Sequence, residues 1–207
     1  FNMLASALIA YLLVEHLARP GSMAPESRSF VAAAHVPFMH DVLAALGLPA
    51  PKSPLNLSFV LALACALGVW VLIWRTRLGY AIRTVGANPA AARYGGIDIP
   101  RITIIAMLVS GALAGLVAVN EIMGVQHRLL LEFTAGSGFI GIAVALMGRG
   151  HPVGIVLAAL LFGVLFQGGT ELAFDRPAIS RDMIVTISGL VIPVSYTHLR
   201  AHETVLD

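Results

Sequence analysis

The stretch that decides the fold is Leu55 to Trp74, which reads LNLSFVLALACALGVWVLIW. A second stretch of the same kind, Ile102 to Gly124, reads ITIIAMLVSGALAGLVAVNEIMG. A helix needs roughly 20 predominantly apolar residues to cross the hydrocarbon core of a bilayer, and both stretches reach that length. Glu121 is the only charged residue in the two. The pattern therefore predicts two transmembrane helices.

The composition of the whole chain agrees with a membrane protein. Hydrophobic residues make up 58%, charged residues 12%, and the mean hydropathy is +0.87. A soluble domain has about 45–50% apolar and about 25% charged residues. Shorter apolar blocks at Phe133 to Gly148, Val153 to Gly169 and Met183 to Pro193 predict short spans, tilted half-helices or re-entrant segments.

These blocks predict an all-α fold, a polytopic transmembrane helical bundle with about five or six membrane segments. Phe1 to Val14 is apolar but has no basic region before it, so it does not have the pattern of a signal peptide. We interpret it as part of a helix that begins upstream, and the chain as a fragment lacking the N-terminal part. Residues 1–193 form the expected membrane domain.

Basic residues predict the orientation. The segment from Arg75 to Arg101 has Asp98 as its only acid beside several arginines, and Arg-rich short loops stay on the cytoplasmic side. The segment Leu17 to Pro54 has a more balanced charge and is expected outside, as is Gln126 to Glu132. The chain then returns to the cytoplasmic side near Arg149.

Small residues at helical spacing predict close helix packing. Gly111 with Gly115, and Ala159 with Gly163, place small side chains four residues apart. Small residues let helix backbones approach each other in lipid, where no hydrophobic force drives helices together. We expect packing rather than a pore-lining role for these residues.

The basic segment contains a short helix signal at Asn88 to Gly95. Asn is a favoured N-cap, Pro suits the first turn, the alanines propagate a helix, and Gly95 or Gly96 can end it in the left-handed conformation. The sequence predicts a helix of about two turns that suits docking on a partner. A simple loop helix is the alternative.

Polar residues inside the apolar stretches are candidate contacts for a solute. Asn120, Glu121 and Gln126 lie near the expected outer end of the second span. Ser137 and Phe139 belong to a Gly-rich turn that could present a hydroxyl and an aromatic ring. Polar residues at membrane depth usually face a cavity or another helix. An interfacial or packing role is the alternative for each.

Two patterns imitate catalytic or metal chemistry. Residues 135–138 (AGSG) place Ser137 in a motif like that of intramembrane serine proteases, but no positioned base accompanies it, since His151 lies in a Gly-Pro loop. His198 and His202 have the spacing of two metal ligands on a helix. Cys65 is the chain's single cysteine and allows no internal disulfide. We expect neither a catalytic residue nor a metal site.

Several motifs in order resemble one family of membrane proteins. They are TRLGYAIRTVGANPAAARYGGI from Thr76, SGALAGL from Ser110, GFIGIAVALMGRGHPVG from Gly138 and LFGVLFQGG from Leu161. The chain resembles the permeases of ABC importers in the branched-chain amino acid, ribose and nucleoside branch. FNMLASALIAYLL at the start and PGSMAPESR from Pro20 look most like nucleoside or simple-sugar permeases.

The resemblance implies a multi-pass protein of the bacterial inner membrane, surrounded by lipid. A second permease subunit, an extracytoplasmic substrate-binding protein and ABC ATPase subunits would be its partners, and nucleic acid would not. The ATPase-coupling segment implied by the resemblance comprises Gly86, Asn88, Pro89, Ala91, Ala92, Arg93, Gly95 and Ile97. A branched-chain amino acid permease, a self-contained channel and an intramembrane enzyme are the alternatives.

ATP and magnesium are expected on the partner ATPase, with no cofactor on this chain. A Walker A loop needs Gly-Lys followed by Ser or Thr, and the only lysine, Lys52, follows Pro51. After Pro193 the sequence becomes polar, and residues 194–207 resemble translated adapter sequence. We interpret them as a non-native tail, which removes the context for a metal site at His198 and His202.

Overall fold

The computed structural model describes residues 2–19, 21, 25–45, 47, 51–131, 133–134 and 136–175. They belong to two compact units. Unit 1 is drawn from residues 1–65 and 71–135, and unit 2 from residues 66–70 and 136–207. The Met183 to Pro193 block and the C-terminal tail lie outside the described residues.

The described elements are helices, and β-pairing in these ranges is limited to isolated bridges. The all-α prediction is therefore confirmed. The bounds are α1 Asn2–Leu12 with a π-helical continuation Leu13–Leu17, a short 3-10 turn Ala32–Ala34, α2 Met39–Ala45, α3 Ser58–Arg75, α4 Arg77–Ala87, α5 Pro89–Tyr94, α6 Ile99–Ala118 with a π-helical continuation Val119–Gln126, α7 Ser137–Met147, and α8 Pro152–Asp175.

Three of the described helices are long and apolar enough to cross a membrane: Ser58–Arg75, Ile99–Gln126 and Pro152–Leu172. Shorter apolar helices are Met3–Leu17 and Ser137–Met147. No residue of α3 or α6 is buried within the chain, so their apolar side chains are left for lipid or for other helices. The chain is a multi-pass membrane protein.

The third span is longer than the sequence blocks indicate. Val153 to Gly169 was expected to be a short segment, but α8 has 24 residues. Its helix runs on through the polar residues after Gly169, where Thr170 Oγ1 donates to the Phe166 carbonyl oxygen at 2.7 Å. A hydroxyl bonded back to its own helix needs no partner elsewhere, which lets the helix continue beyond the apolar block.

In unit 1, α4 and α5 pack against α6 near its N-terminus. Asp98 caps α6, because its Oδ1 accepts from the Arg101 backbone N–H at 3.3 Å and Pro100 lies in the first turn. Thus the segment from 75 to 101, predicted to be cytoplasmic, folds into two helices at one end of α3 and α6.

The opposite end of α3 and α6 carries a different segment, residues 25–45, here called the distal segment. Its backbone bonds to the π-helical continuation of α6 through Val36 N–H to Met123 O at 3.0 Å, and to the loop after it through Ser27 N–H to Leu129 O at 2.9 Å and Phe30 N–H to His127 O at 2.8 Å. Met39 N–H bonds to Leu55 O, just before α3, at 2.8 Å. The sequence predicts residues 17–54 and 126–132 on the same side of the membrane. Their contact agrees with that prediction.

In unit 2, α7 and α8 form a helical hairpin with a small core of Val144, Ala158 and Phe162. The turn between them is tight, because a Cβ at Gly148 or Gly154 would overlap backbone atoms of the facing residues. Arg149 adopts the left-handed conformation with φ 53°. Glycines at both close approaches let this short connection form.

Candidate functional site

The Arg-rich end of unit 1 begins with a sharp turn at Thr76. The Thr76 Oγ1 accepts from the Gly79 backbone N–H at 3.1 Å and donates to the Leu72 carbonyl oxygen at 2.6 Å. This hydroxyl caps the start of α4 and bonds the end of α3 at once. Gly79 is buried against the last turn of α3, where a Cβ would overlap the Leu72 and Ile73 carbonyl oxygens.

Helix α5 forms where the sequence predicts it. The Asn88 Oδ1 accepts from the backbone N–H groups of Ala90 and Ala91 at 3.0 and 3.1 Å. Pro89 occupies the first turn, as expected for an N-terminus. Of the two glycines that could end the helix, Gly96 has φ 75° and Gly95 has φ −76°. Gly96 therefore supplies the left-handed residue.

The two faces of α5 differ. Ala92 is fully buried in unit 1, and its carbonyl oxygen accepts from the Ile97 backbone N–H at 3.0 Å. Ala91 and Arg93 are exposed, and Tyr94 is 95% exposed. A partner that approached α5 would therefore meet Arg93 and Tyr94, whereas Ala92 holds the helix onto its own chain. Gly86 is exposed at the end of α4.

The sequence analysis predicted neither helix α4 nor the exposure of Tyr94 on α5. Leu78, Ala81, Ile82 and Val85 are half-buried and repeat at helical spacing, and this pattern could have predicted the helix. Tyr94 carries no local signal, because tyrosine is intermediate between the mostly buried and the mostly exposed residue types.

Polar side chains meet at the other end of α3 and α6. The Asn56 Nδ2 donates to the Asn120 Oδ1 at 3.1 Å, and the Asn56 Oδ1 accepts from the Ser58 backbone N–H at 3.2 Å. The Asn120 Nδ2 lies 3.4 Å from the Glu121 Oε1. Asn120 and Glu121 were expected near a solute pathway. Asn56, which is only 7% exposed, was not identified from the sequence.

The π-helical continuation of α6 positions this network. Asn120 and Glu121 lie in its first turn, and Gln126 is its last residue and half-buried. Gly124 is buried, and a Cβ there would overlap the Asn56 amide nitrogen. The absence of a side chain at Gly124 thus makes room for Asn56. Short π-helical segments occur frequently at functional sites.

Next to the network lies a pocket of about 610 Å³, here called the α3–α6 pocket. Asn56, Ser58 and Asn120 supply its polar groups, and Phe59, Leu116 and other apolar side chains supply its walls. None of the described residues that line it is charged. A mostly apolar pocket with a few convergent polar groups is the usual form of a small-molecule site.

The distal segment closes over the same end of unit 1. The buried Ser27 Oγ accepts from the Leu129 backbone N–H at 2.8 Å. Glu26 and Arg128 form an ion pair at 2.8 Å. The rings of His35 and His127 stack with their centroids 3.8 Å apart. These contacts fix the loop that follows α6.

The remaining predicted site residues belong to unit 2. Ser137 begins α7 after Gly136, which has φ 80°, and Phe139 is 82% exposed on the same helix. The His151 Nδ1 accepts from the Val153 backbone N–H at 3.3 Å at the start of α8. Among the described residues, no group of three His, Cys, Asp or Glu side chains could hold a metal ion.

The small residues predicted for helix packing find no partner within the described chain. A Cβ added at Gly111, Gly115 or Gly163 would meet nothing within 4 Å, and Ala159 is exposed. The packing role of these four residues stays a prediction, and it concerns surfaces outside the part of the chain that the structure describes.

The family described as "Branched-chain amino acid transport system / permease component" matches residues 1–193. A glucose ABC transporter permease of Haloferax volcanii is 35% identical over 194 residues, which is 91% of this chain and 49% of the relative. A guanosine ABC transporter permease of Bacillus subtilis is 32% identical over 192 residues, 91% of this chain and 52% of the relative.

A ribose import permease of Escherichia coli K12 is 32% identical over 132 residues, covering 59% of this chain and 38% of the relative. The chain thus spans about half the length, or less, of these curated relatives. No solved structure matches. By the family match over residues 1–193, the chain belongs to the family of branched-chain amino acid transport system permease components, and it is a transporter component and not an enzyme.

Proposed function

We propose that this chain belongs to the membrane-spanning permease of an ABC importer that carries nucleosides or simple sugars across the inner membrane. A binding protein outside the membrane delivers the solute, and separate ATPase subunits supply the energy. A second permease subunit completes the pathway. The relatives named for glucose, guanosine and ribose support this class of solute over branched-chain amino acids.

The observation that carries the proposal is α5, a short capped helix between two spans. Asn88 and Gly96 fix its two ends, and Arg93 and Tyr94 are exposed on it. It lies at the Arg-rich end, which the positive-inside rule assigns to the cytoplasm. An exposed helix there suits docking on an ATPase, and the chain has no Walker A loop of its own.

The test is transport by the complete permease, reconstituted in liposomes with its cognate ATPase and binding protein. We expect ATP-dependent uptake of labelled guanosine, ribose or glucose, and none when the ATPase is omitted. Uptake of leucine alone would favour the amino acid permease. Flux without ATP would favour a channel.

A further inference from the structure

The α3–α6 pocket carries an inference that rests on the proposed function and makes it more specific. We infer that this pocket binds the hydroxylated ring shared by sugars and nucleosides, with Asn56, Asn120 and Ser58 as its hydrogen-bonding groups.

The volume suits such a solute. The pocket measures about 610 Å³, and small-molecule sites commonly enclose about 300–1,000 Å³. Its walls lie on the distal half of α3 and on α6 with its π-helical continuation. Phe59 contributes an aromatic ring, and Leu113, Leu116 and Val117 contribute aliphatic surface. These groups can cover the apolar face of a sugar ring or a nucleobase.

The polar atoms at the pocket have hydrogen-bonding capacity left. The Ser58 Oγ has almost no accessible surface and no hydrogen-bond partner among the described residues, so it pairs with an occupant only when its side chain rotates toward the pocket. The Asn56 Nδ2 donates one of its two hydrogens to Asn120, and the Asn120 Nδ2 has a second hydrogen beyond the one directed to Glu121. A buried polar atom without a partner costs free energy, so an occupant that pairs with it is favoured.

The unused hydrogen-bonding capacity of Asn56, Asn120 and Ser58 discriminates between possible occupants of the pocket. A lipid acyl chain or an apolar helix would fill the volume but leave the Ser58 hydroxyl unpaired. The hydroxyls of a sugar ring both donate and accept, and the Asn and Ser side chains offer both functions in return. The hydroxylated ring is therefore the occupant that satisfies the pocket.

Charge excludes another class of solute. No described residue that lines the pocket is charged, and the nearest charged side chain of the network, Glu121, is acidic. The carboxylate of an amino acid would enter this pocket without a cation to pair with it, and an unpaired buried charge is costly. The pocket thus fits a neutral solute and not a zwitterionic amino acid.

Cys65 provides a probe, because it lines the pocket and is the only cysteine of this chain. In the complete permease assembled with its ATPase in nanodiscs, and with any other cysteine replaced by serine, a small charged methanethiosulfonate should label Cys65. Saturating ribose, glucose or guanosine should slow the labelling, and leucine should not. Protection by guanosine alone identifies a nucleoside, and protection by ribose or glucose identifies a free sugar.

Two isosteric variants test the hydrogen bonds. Asn56→Leu and Asn120→Leu should each lower uptake at subsaturating solute by about five- to tenfold, the effect of one lost neutral hydrogen bond, and should raise the solute concentration that protects Cys65 by a similar factor. Gln167→Leu is the matched control, because this exposed amide bonds Glu171 of its own helix, and uptake should not change.

A Cys65 that does not react without solute would mean that protein or lipid fills the pocket, and it would overturn the inference. Equal protection by leucine, or unchanged uptake in both Leu variants, would also overturn it. Each of these results can occur in a complex that still takes up sugars or nucleosides. Absence of all such uptake would instead refute the proposed function.

Discussion

At the residue scale, two glycines of α4 have opposite surroundings. Gly79 faces the carbonyl oxygens of Leu72 and Ile73, and these backbone atoms cannot move aside without unwinding the end of α3. Gly86 lies in the same helix and faces open space. The turn at Thr76 therefore depends on the first glycine and not on the second.

We expect Gly79→Ala to destabilise the complete permease by about 1–3 kcal/mol, the usual cost of overpacking. Gly86→Ala should instead stabilise it slightly, by about 0.5–1 kcal/mol, because alanine is the better helix former. Thermal unfolding in detergent measures both. Equal melting temperatures for the two variants would contradict the close approach at Gly79.

Ser27 offers a second test at this scale. Its buried hydroxyl accepts from the Leu129 backbone N–H, so Ser27→Ala should leave that donor unpaired at a cost of about 1–3 kcal/mol. Hydrogen exchange of residues 127–130 should become faster. Ser29→Ala, at an exposed neighbour, should leave the exchange unchanged.

At the scale of the element, α5 has one face for its own chain and one for solvent. Ala92 is buried, and Tyr94 is almost fully exposed two residues later. Substitutions at Ala92 and at Tyr94 should therefore impair different properties, the stability of the chain in the first case and contact with a partner in the second.

We expect Ala92→Glu to lower the abundance of the permease in the membrane, because an unpaired buried charge costs several kcal/mol, on the order of 3–5. Tyr94→Ala should leave abundance normal and reduce ATP-dependent uptake by about tenfold, since aromatic anchors dominate protein interfaces. Immunoblots and uptake assays on the same membranes separate the two. Full uptake by Tyr94→Ala would show that α5 does not contact the ATPase through this residue.

The start or end of a helix could be predicted from the sequence where residues adjacent in the chain determine it. Asn88 and Pro89 are adjacent in the sequence and define the start of α5 by themselves. The choice between Gly95 and Gly96 could not be made, since either can adopt a positive φ. The hydrogen bond between Asn56 and Asn120 joins residues 64 positions apart, so no local sequence pattern predicts it.

At the scale of the whole molecule, unit 1 has two chemically different ends. Arginines and the exposed face of α5 lie at one end, and the distal segment with its ion pair and stacked imidazoles lies at the other. The positive-inside rule assigns the first end to the cytoplasm.

Cysteine labelling tests this orientation in the complete permease. In a Cys65→Ala background, Ser29→Cys should react with a membrane-impermeant thiol reagent in sealed cells, and Ala87→Cys should react only after the cells are opened. Both native side chains are exposed, so access to the reagent depends on the side of the membrane. Labelling of Ala87→Cys in sealed cells would invert the topology.

The contacts at the two ends of α3 and α6 restrict the movement of one helix relative to the other. The distal segment and the Asn56–Asn120 bond join the helices at one end, and α4 and α5 join them at the other. Two helices that are connected at both ends resist sliding along each other unless one of the connections breaks. Sliding of α3 along α6 would therefore require the Asn56–Asn120 hydrogen bond or the contacts of α4 and α5 with α6 to break.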